Sequence, residues 1–155
     1  MKFLEGFIWT INTKFDKKGG IMNFWIFMLV MNLLIPLVMI FFGYVYEKKP
    51  PKKPQSKFAF SGYRTPMSMR NEQTWEYAQR FFGKLWFRIG IAVGLISVIA
   101  MFFLLGKDID TIGFAGMIIC YIQIFAMLLP IAPTEMALRK IFDKNGNRKV
   151  NDEKG

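Results

Sequence analysis

The stretch SGYRTPMSMRNEQTW, residues 61–75, gathers the side chains best suited to recognition chemistry. Arg64 carries a permanent charge and a planar fork of N–H donors. Thr65, Ser68, Asn71 and Glu72 follow it closely enough to build a polar network around it. Such a network can clamp a lipid phosphate, a peptide carboxylate or the protein's own carbonyls. The same residues also suit a purely structural role, in which Arg64 and Trp75 pin the segment onto neighbouring helices. Both readings are open at this level.

Catalytic and metal chemistry find little support. The chain has 155 residues, no His and a single Cys, so no Ser-His-Asp or Cys-His arrangement, Cys/His metal site or internal disulfide can form. No cofactor and no enzymatic activity are expected. The segment DKNGNRK has the odd-position spacing of a calcium loop at Asp143, Asn145 and Asn147. It has Arg148 where the loop needs Gly, and Lys154 where it needs Glu. Asn145-Gly146 therefore reads as a turn ending a helix.

The polar segment must be positioned by long apolar elements. Residues 19–46, 89–106 and 111–134 contain no charge, and a membrane-crossing helix needs roughly 20 apolar residues. The expected fold is all-α and integral to a membrane, with spans at 21–45, 85–106 and 111–132. The first span lacks a small-residue cleavage site behind it and is expected to remain as an anchor. Phe3, Leu4, Phe7, Ile8, Ile11 and Phe15 predict an interfacial amphipathic helix over 1–18, broken at Gly19-Gly20. Residues 46–84 form a basic loop. In it, EKKPPKKP is an extended strap, Thr65-Pro66 or Ser68 starts an amphipathic helix, and Trp75 anchors that helix at the interface before it turns into span two. Gln79 is placed on the polar side of that helix, with Glu72, Gln73, Glu76 and Arg80. Residues 133–155 form a tail with a short helix from Thr134 and Glu135.

Lys and Arg set orientation. Fifteen fall in the loop and tail against five on the other side, with Arg88 set aside. The loop and tail are therefore expected in the cytoplasm and the N-terminus outside. Pro36 frees a carbonyl one turn earlier, at Asn32. Asn32 and Gln123 are buried amides that need partners, in helix packing or in a polar cavity. Arg88 either snorkels to the headgroups or faces the bundle. Gly83, Gly90 and Ser97, with Gly94, form a small-residue face for close helix packing, and GKDID is a tight hairpin between antiparallel spans.

The run GYRTPMSMRNEQTWEYAQRFFGK resembles the signature of the SdpI family of bacterial integral membrane proteins. The positions that carry the resemblance are Gly62, Tyr63, Arg64, Thr65, Ser68, Asn71, Glu72, Trp75, Gly83 and Lys84. Together with the proline-rich entry at Pro50-Pro51 and the tail FDKNGNRK, it extends over about 21–149. The resemblance implies an immunity protein that protects a cell against a membrane-active antimicrobial peptide, with the motif as binding residues. It also implies a signalling role in which a cytoplasmic repressor is held at the membrane. This chain has three spans where longer members have more, and that weakens the signalling expectation. The remaining alternative is a small oligomeric transporter or channel using Asn32, Arg88 and Gln123 along a path. Membrane lipids, a toxin peptide, a cytoplasmic repressor and a second copy are the expected partners; nucleic acid is not.

Overall fold

The computed structural model describes residues 2–54 and 62–149, with the backbone alone for 2–17. Four helices follow in order: α1 (Lys2–Lys48), α2 (Glu72–Phe103), α3 (Ile109–Leu128) and α4 (Ile131–Ile141). Among the described residues there is no β-strand, only an isolated antiparallel bridge between Phe142 and Arg148. Three stretches are long and apolar enough to cross a membrane: Lys18–Lys48, Glu72–Phe103 and Ile109–Ile141. The all-α, three-span expectation therefore stands.

The amphipathic additions do not. α1 runs unbroken through Gly19 and Gly20, so 1–18 is not a separate interfacial helix. Glycine adopts helical dihedrals readily, and its cost of ~1 kcal/mol relative to alanine is too small to end a helix propagating on both sides. The 47-residue helix is about 70 Å long, over twice the hydrocarbon thickness, so one end projects beyond a bilayer. The apolar face expected for 1–18 lies outside the described side chains.

The helix expected at Thr65 or Ser68 starts later, at Glu72. Asn71 is extended, and its side chain accepts the Thr74 N–H while Thr74 Oγ1 accepts the Asn71 N–H. This reciprocal cap gives the helix a sharp start. With no proline from there to Phe103, the helix has no reason to bend out of one plane and into another. The expected amphipathic helix is simply the first turns of α2, continuous with the span.

Small residues bring the helices together. Gly83, Gly90 and Ser97 are buried in α2, and the two glycines face α1. A Cβ at Gly83 would lie 2.6 Å from the Glu47 nitrogen, and one at Gly43 would lie 2.5 Å from the Phe87 nitrogen. The two backbones touch, an approach only glycine permits. α3 docks lower on α1, where a Cβ at Gly116 would overlap Met28 Cε. Trp25, Met101 and Ile112 form an apolar cluster joining all three spans near the α2–α3 hairpin. The hairpin turns at Gly106 (φ 78°) and restarts at Asp108, which caps α3 by accepting the Thr111 N–H and hydroxyl at 2.8 Å each. At the opposite end, Tyr63, Ala78, Phe82, Leu138 and Phe142 form a second core beneath the 62–71 turn.

Candidate functional site: a hydrogen-bonded cap and an intramembrane amide cluster

The motif folds into a cap over the α2–α4 end of the bundle. Its organising residue is Gln79, fully buried on α2. Gln79 Oε1 accepts the Tyr63 N–H and Gln79 Nε2 donates to the Tyr63 carbonyl, both at 2.7 Å. The side-chain amide thus holds the Tyr63 peptide groups as a neighbouring strand would. Gly62 precedes it at φ 79°, and a Cβ there would lie 2.5 Å from Gln79 Oε1. Both the dihedral and the space require glycine.

Tyr63 stacks on Phe82 with ring centroids 4.8 Å apart, and its hydroxyl donates to the Ile131 carbonyl at 3.2 Å. Burial, and then the nearby Glu135 carboxylate, push the phenol above its ordinary value. It therefore remains a donor. Ser68 and Thr65 close the next turn: Ser68 Oγ accepts the Thr65 N–H at 2.8 Å, and Thr65 Oγ1 accepts the Ser68 N–H at 3.1 Å. Thr74 Oγ1 in turn donates to the Ser68 carbonyl at 3.2 Å. Arg64 is half-buried. Glu72 is exposed in the first turn of α2, where a carboxylate favours the helix N-terminus.

Trp75 is not a lipid-facing anchor. It is 1% exposed, and its indole N–H donates to the Pro51 carbonyl at 2.6 Å. It holds the basic strap rather than lipid. Lys53 reinforces the strap through the Arg70 carbonyl at 3.3 Å.

The tail closes the cap from the other side. Asp143 Oδ1 accepts the backbone N–H groups of Asn145 and Asn147 at 2.8 Å each, and Oδ2 accepts Asn147 Nδ2 at 3.4 Å. These bonds, led by the Asn147 backbone, hold the carboxyl below its ordinary value. The carboxylate that could begin a calcium loop is instead the knot of its own turn. Asn71 Nδ2 donates to the Gly146 carbonyl at 2.6 Å, so one asparagine both caps α2 and fastens the tail. Between the 65–70 turn and the tail lies a cleft of about 590 Å³, with Arg70, Arg139, Lys144 and Lys149 and the carboxylates of Glu135 and Asp143 on its walls; Glu135 pairs with Arg139 at 3.1 Å.

The second polar cluster lies inside the bundle. Pro36 has no N–H, so the Asn32 carbonyl lacks its helical donor. Gln123 Nε2 supplies one at 2.8 Å and also donates to Ser97 Oγ at 2.7 Å. Asn32 Nδ2 donates to the Met28 carbonyl at 2.9 Å, and the Cys120 thiol to Asn32 Oδ1 at 3.4 Å. Asn32, Ser97 and Gln123 are essentially inaccessible and tie the three spans together. Gln123 Oε1 meets no donor among the described residues, a cost of ~1–3 kcal/mol that the arrangement carries.

Arg88 is not part of this cluster. It is exposed on the outer face of α2, as is Lys84 one turn before it. Within one chain, Asn32, Arg88 and Gln123 therefore do not line a single path.

Sequence reasoning placed Gln79 on the polar side, and the structure buries it. The available signal was its spacing: Gln79 stands four residues after Trp75 and three before Phe82, on the buried stripe. Also missed were the indoles of Trp25 and Trp86, which donate to the carbonyls of Met101 and Met127 at 2.8 and 2.9 Å. Both carbonyls lie in the last turn of a helix, where carbonyls lose their regular donors; that of Met101 also accepts the Leu104 N–H at 3.1 Å.

Three apolar helices, a glycine-packed seam and a hydrogen-bonded polar cap define a multi-pass α-helical membrane protein. The profile of the SdpI/YfhL protein family matches residues 54–134, over half of the 155 residues, and the chain belongs to this family. The match takes in the end of the strap, the cap, α2, α3 and the start of α4. It leaves out α1 and the tail turn, so it is shorter than the 21–149 resemblance. No curated protein and no solved structure matches the chain.

Proposed function

We propose that this SdpI-family protein confers immunity or resistance to a membrane-active antimicrobial peptide, by binding or blocking the peptide at a bacterial cell membrane. The observation that carries the reading is an aromatic stripe on α3. Phe114, Tyr121 and Phe125 are 64%, 58% and 71% exposed, and their spacing places them on one helix face. They lie within the family segment. Aromatic side chains offer large contact area at low entropic cost, which suits capture of an amphipathic helix dissolved in the bilayer. In this reading Gly62, Tyr63, Arg64, Thr65, Ser68, Asn71, Trp75 and Gly83 belong to the cap and seam. Glu72 and Lys84, both exposed, are the motif residues offered to an occupant. The Lys and Arg distribution supports a cytoplasmic cap and tail with the N-terminus outside.

The test is expression in a sensitive bacterium challenged with a panel of such peptides. A rise in the inhibitory concentration of at least one peptide supports the reading; unchanged killing across the panel argues against it.

A second reading has one observation in its favour. The cap cleft carries four cationic side chains against two carboxylates, Glu135 and Asp143, an excess that suits an acidic surface on a cytoplasmic regulator and would make the chain a membrane receptor. Binding of a candidate regulator that disappears in Arg70→Gln/Arg139→Gln would support it.

A further inference from the structure

We propose that Lys84 and Arg88 form a binding site for the headgroup of a single anionic phospholipid on the outer face of α2. Arg80, Lys84 and Arg88 follow one another at four-residue spacing and therefore share a helix face. The first is neutralised within the protein: Arg80 pairs with Glu76 at 2.9 Å and donates to the Glu47 carbonyl at 3.1 Å. Lys84 and Arg88 are exposed and make no hydrogen bond or ion pair with any other described residue. Like charges one turn apart repel each other, and an anion placed between them removes that repulsion.

Their depth makes the anion a lipid one. Gly83 packs against the Glu47 nitrogen, and Glu47 is the first charge beyond the apolar run of α1. Lys84 lies one residue inside that level and Arg88 five, or ~7.5 Å at the helical rise. An Arg side chain there reaches back to the phosphate layer with its stem among acyl chains. The face then continues as Ile91, Leu95 and Ile99, all exposed, which provides an apolar track for an acyl chain. Tyr44 of α1, also exposed, packs on Phe87 at 6.2 Å and walls the track on one side. A phosphodiester bridged by an ammonium and a guanidinium, with its chain along Ile91–Leu95–Ile99, satisfies every one of these groups.

Native mass spectrometry of the purified full chain tests it, with phosphatidylglycerol, phosphatidylcholine or inorganic phosphate added. The expected result is one phosphatidylglycerol retained at least tenfold more than phosphatidylcholine. Lys84→Gln/Arg88→Gln should lose that preference, Arg88→Lys should keep most of it, and Lys140→Gln, which removes an exposed charge on α4, should behave as wild type. The wild-type lipid comparison stands even if the double variant folds poorly. Equal retention of the two lipids overturns the site. So does a preference that survives the double variant, or an equal loss in Lys140→Gln. Displacement by millimolar phosphate would make it a free-anion site instead and also overturn the lipid assignment.

Discussion

Gln123 donates to the one carbonyl of α1 that Pro36 leaves without a helical partner, that of Asn32, at 2.8 Å. A proline in one span and a glutamine in another thus form a single device. The break in α1 is repaired from α3, and the repair fixes how the two helices meet.

This coupling is measurable. Gln123→Leu leaves a buried carbonyl unpaired, a cost of ~1–3 kcal/mol that is offset in part because the unpartnered Oε1 goes with it. In a Pro36→Ala background the cost should fall sharply, since an alanine there restores the N–H that the Asn32 carbonyl needs. A double-mutant cycle from unfolding in mild detergent reads the difference. Equal costs in both backgrounds would separate the two residues.

At the α1–α2 seam the demand is steric. Gly83→Leu drives a side chain into the Glu47 backbone, 2.6 Å from the first added carbon. Overpacking of this kind costs ~1–3 kcal/mol or more, and here backbone rather than side chain must move. The variant should unfold at a clearly lower temperature, whereas Gly19→Ala, with nothing near its Cβ, should match or exceed wild type.

The cap depends on Gln79 in a different way. Gln79→Ala removes the acceptor of the Tyr63 N–H and the shorter of the two bonds to its carbonyl, which keeps only the Ser68 hydroxyl at 3.3 Å, and should cost ~2–3 kcal/mol locally. Amide exchange at Tyr63 should speed up by about 100-fold, since each 1.4 kcal/mol is a factor of ten, while the spans keep their protection. Exchange that rises equally in the spans would show the cap and bundle to be one unit.

The tail turn should respond to pH. Asp143 has a folded value below its ordinary one, so its contribution is complete above the unfolded value and is lost as pH falls through the folded value. Fastening of the tail to Asn71 should therefore persist at neutral pH and weaken only below the usual carboxylate range. Asp143→Asn should remove that acid transition. Proteolysis of the tail against pH distinguishes the two proteins.

The spans, the glycine face and the hairpin were legible because each rests on a local property: charge-free length, residue size, or a connection too short for anything else. The freed carbonyl at Asn32 was also legible, since proline acts on its own helix. Its partner was not, because Gln123 is 91 positions away and nothing in either segment encodes that distance. Gln79 failed for the same reason: a polar residue on an amphipathic helix reads as solvated unless its partner is known. Trp75 was read as a lipid anchor because an indole near a span usually is one; here the Pro51 carbonyl takes its N–H. The helix through Gly19-Gly20 shows the opposite error, a local breaker overruled by helix on both sides.

The proposed protection rests on capture of a peptide by the α3 aromatic stripe. The most direct measurement is the inhibitory concentration of a membrane-active peptide on a sensitive bacterium carrying wild-type protein, Phe114→Ala/Tyr121→Ala/Phe125→Ala, or an empty vector, with membrane levels matched. The wild type should protect, and the triple variant should not. Full protection by the triple variant, or no protection by any protein across a broad peptide panel, would contradict it.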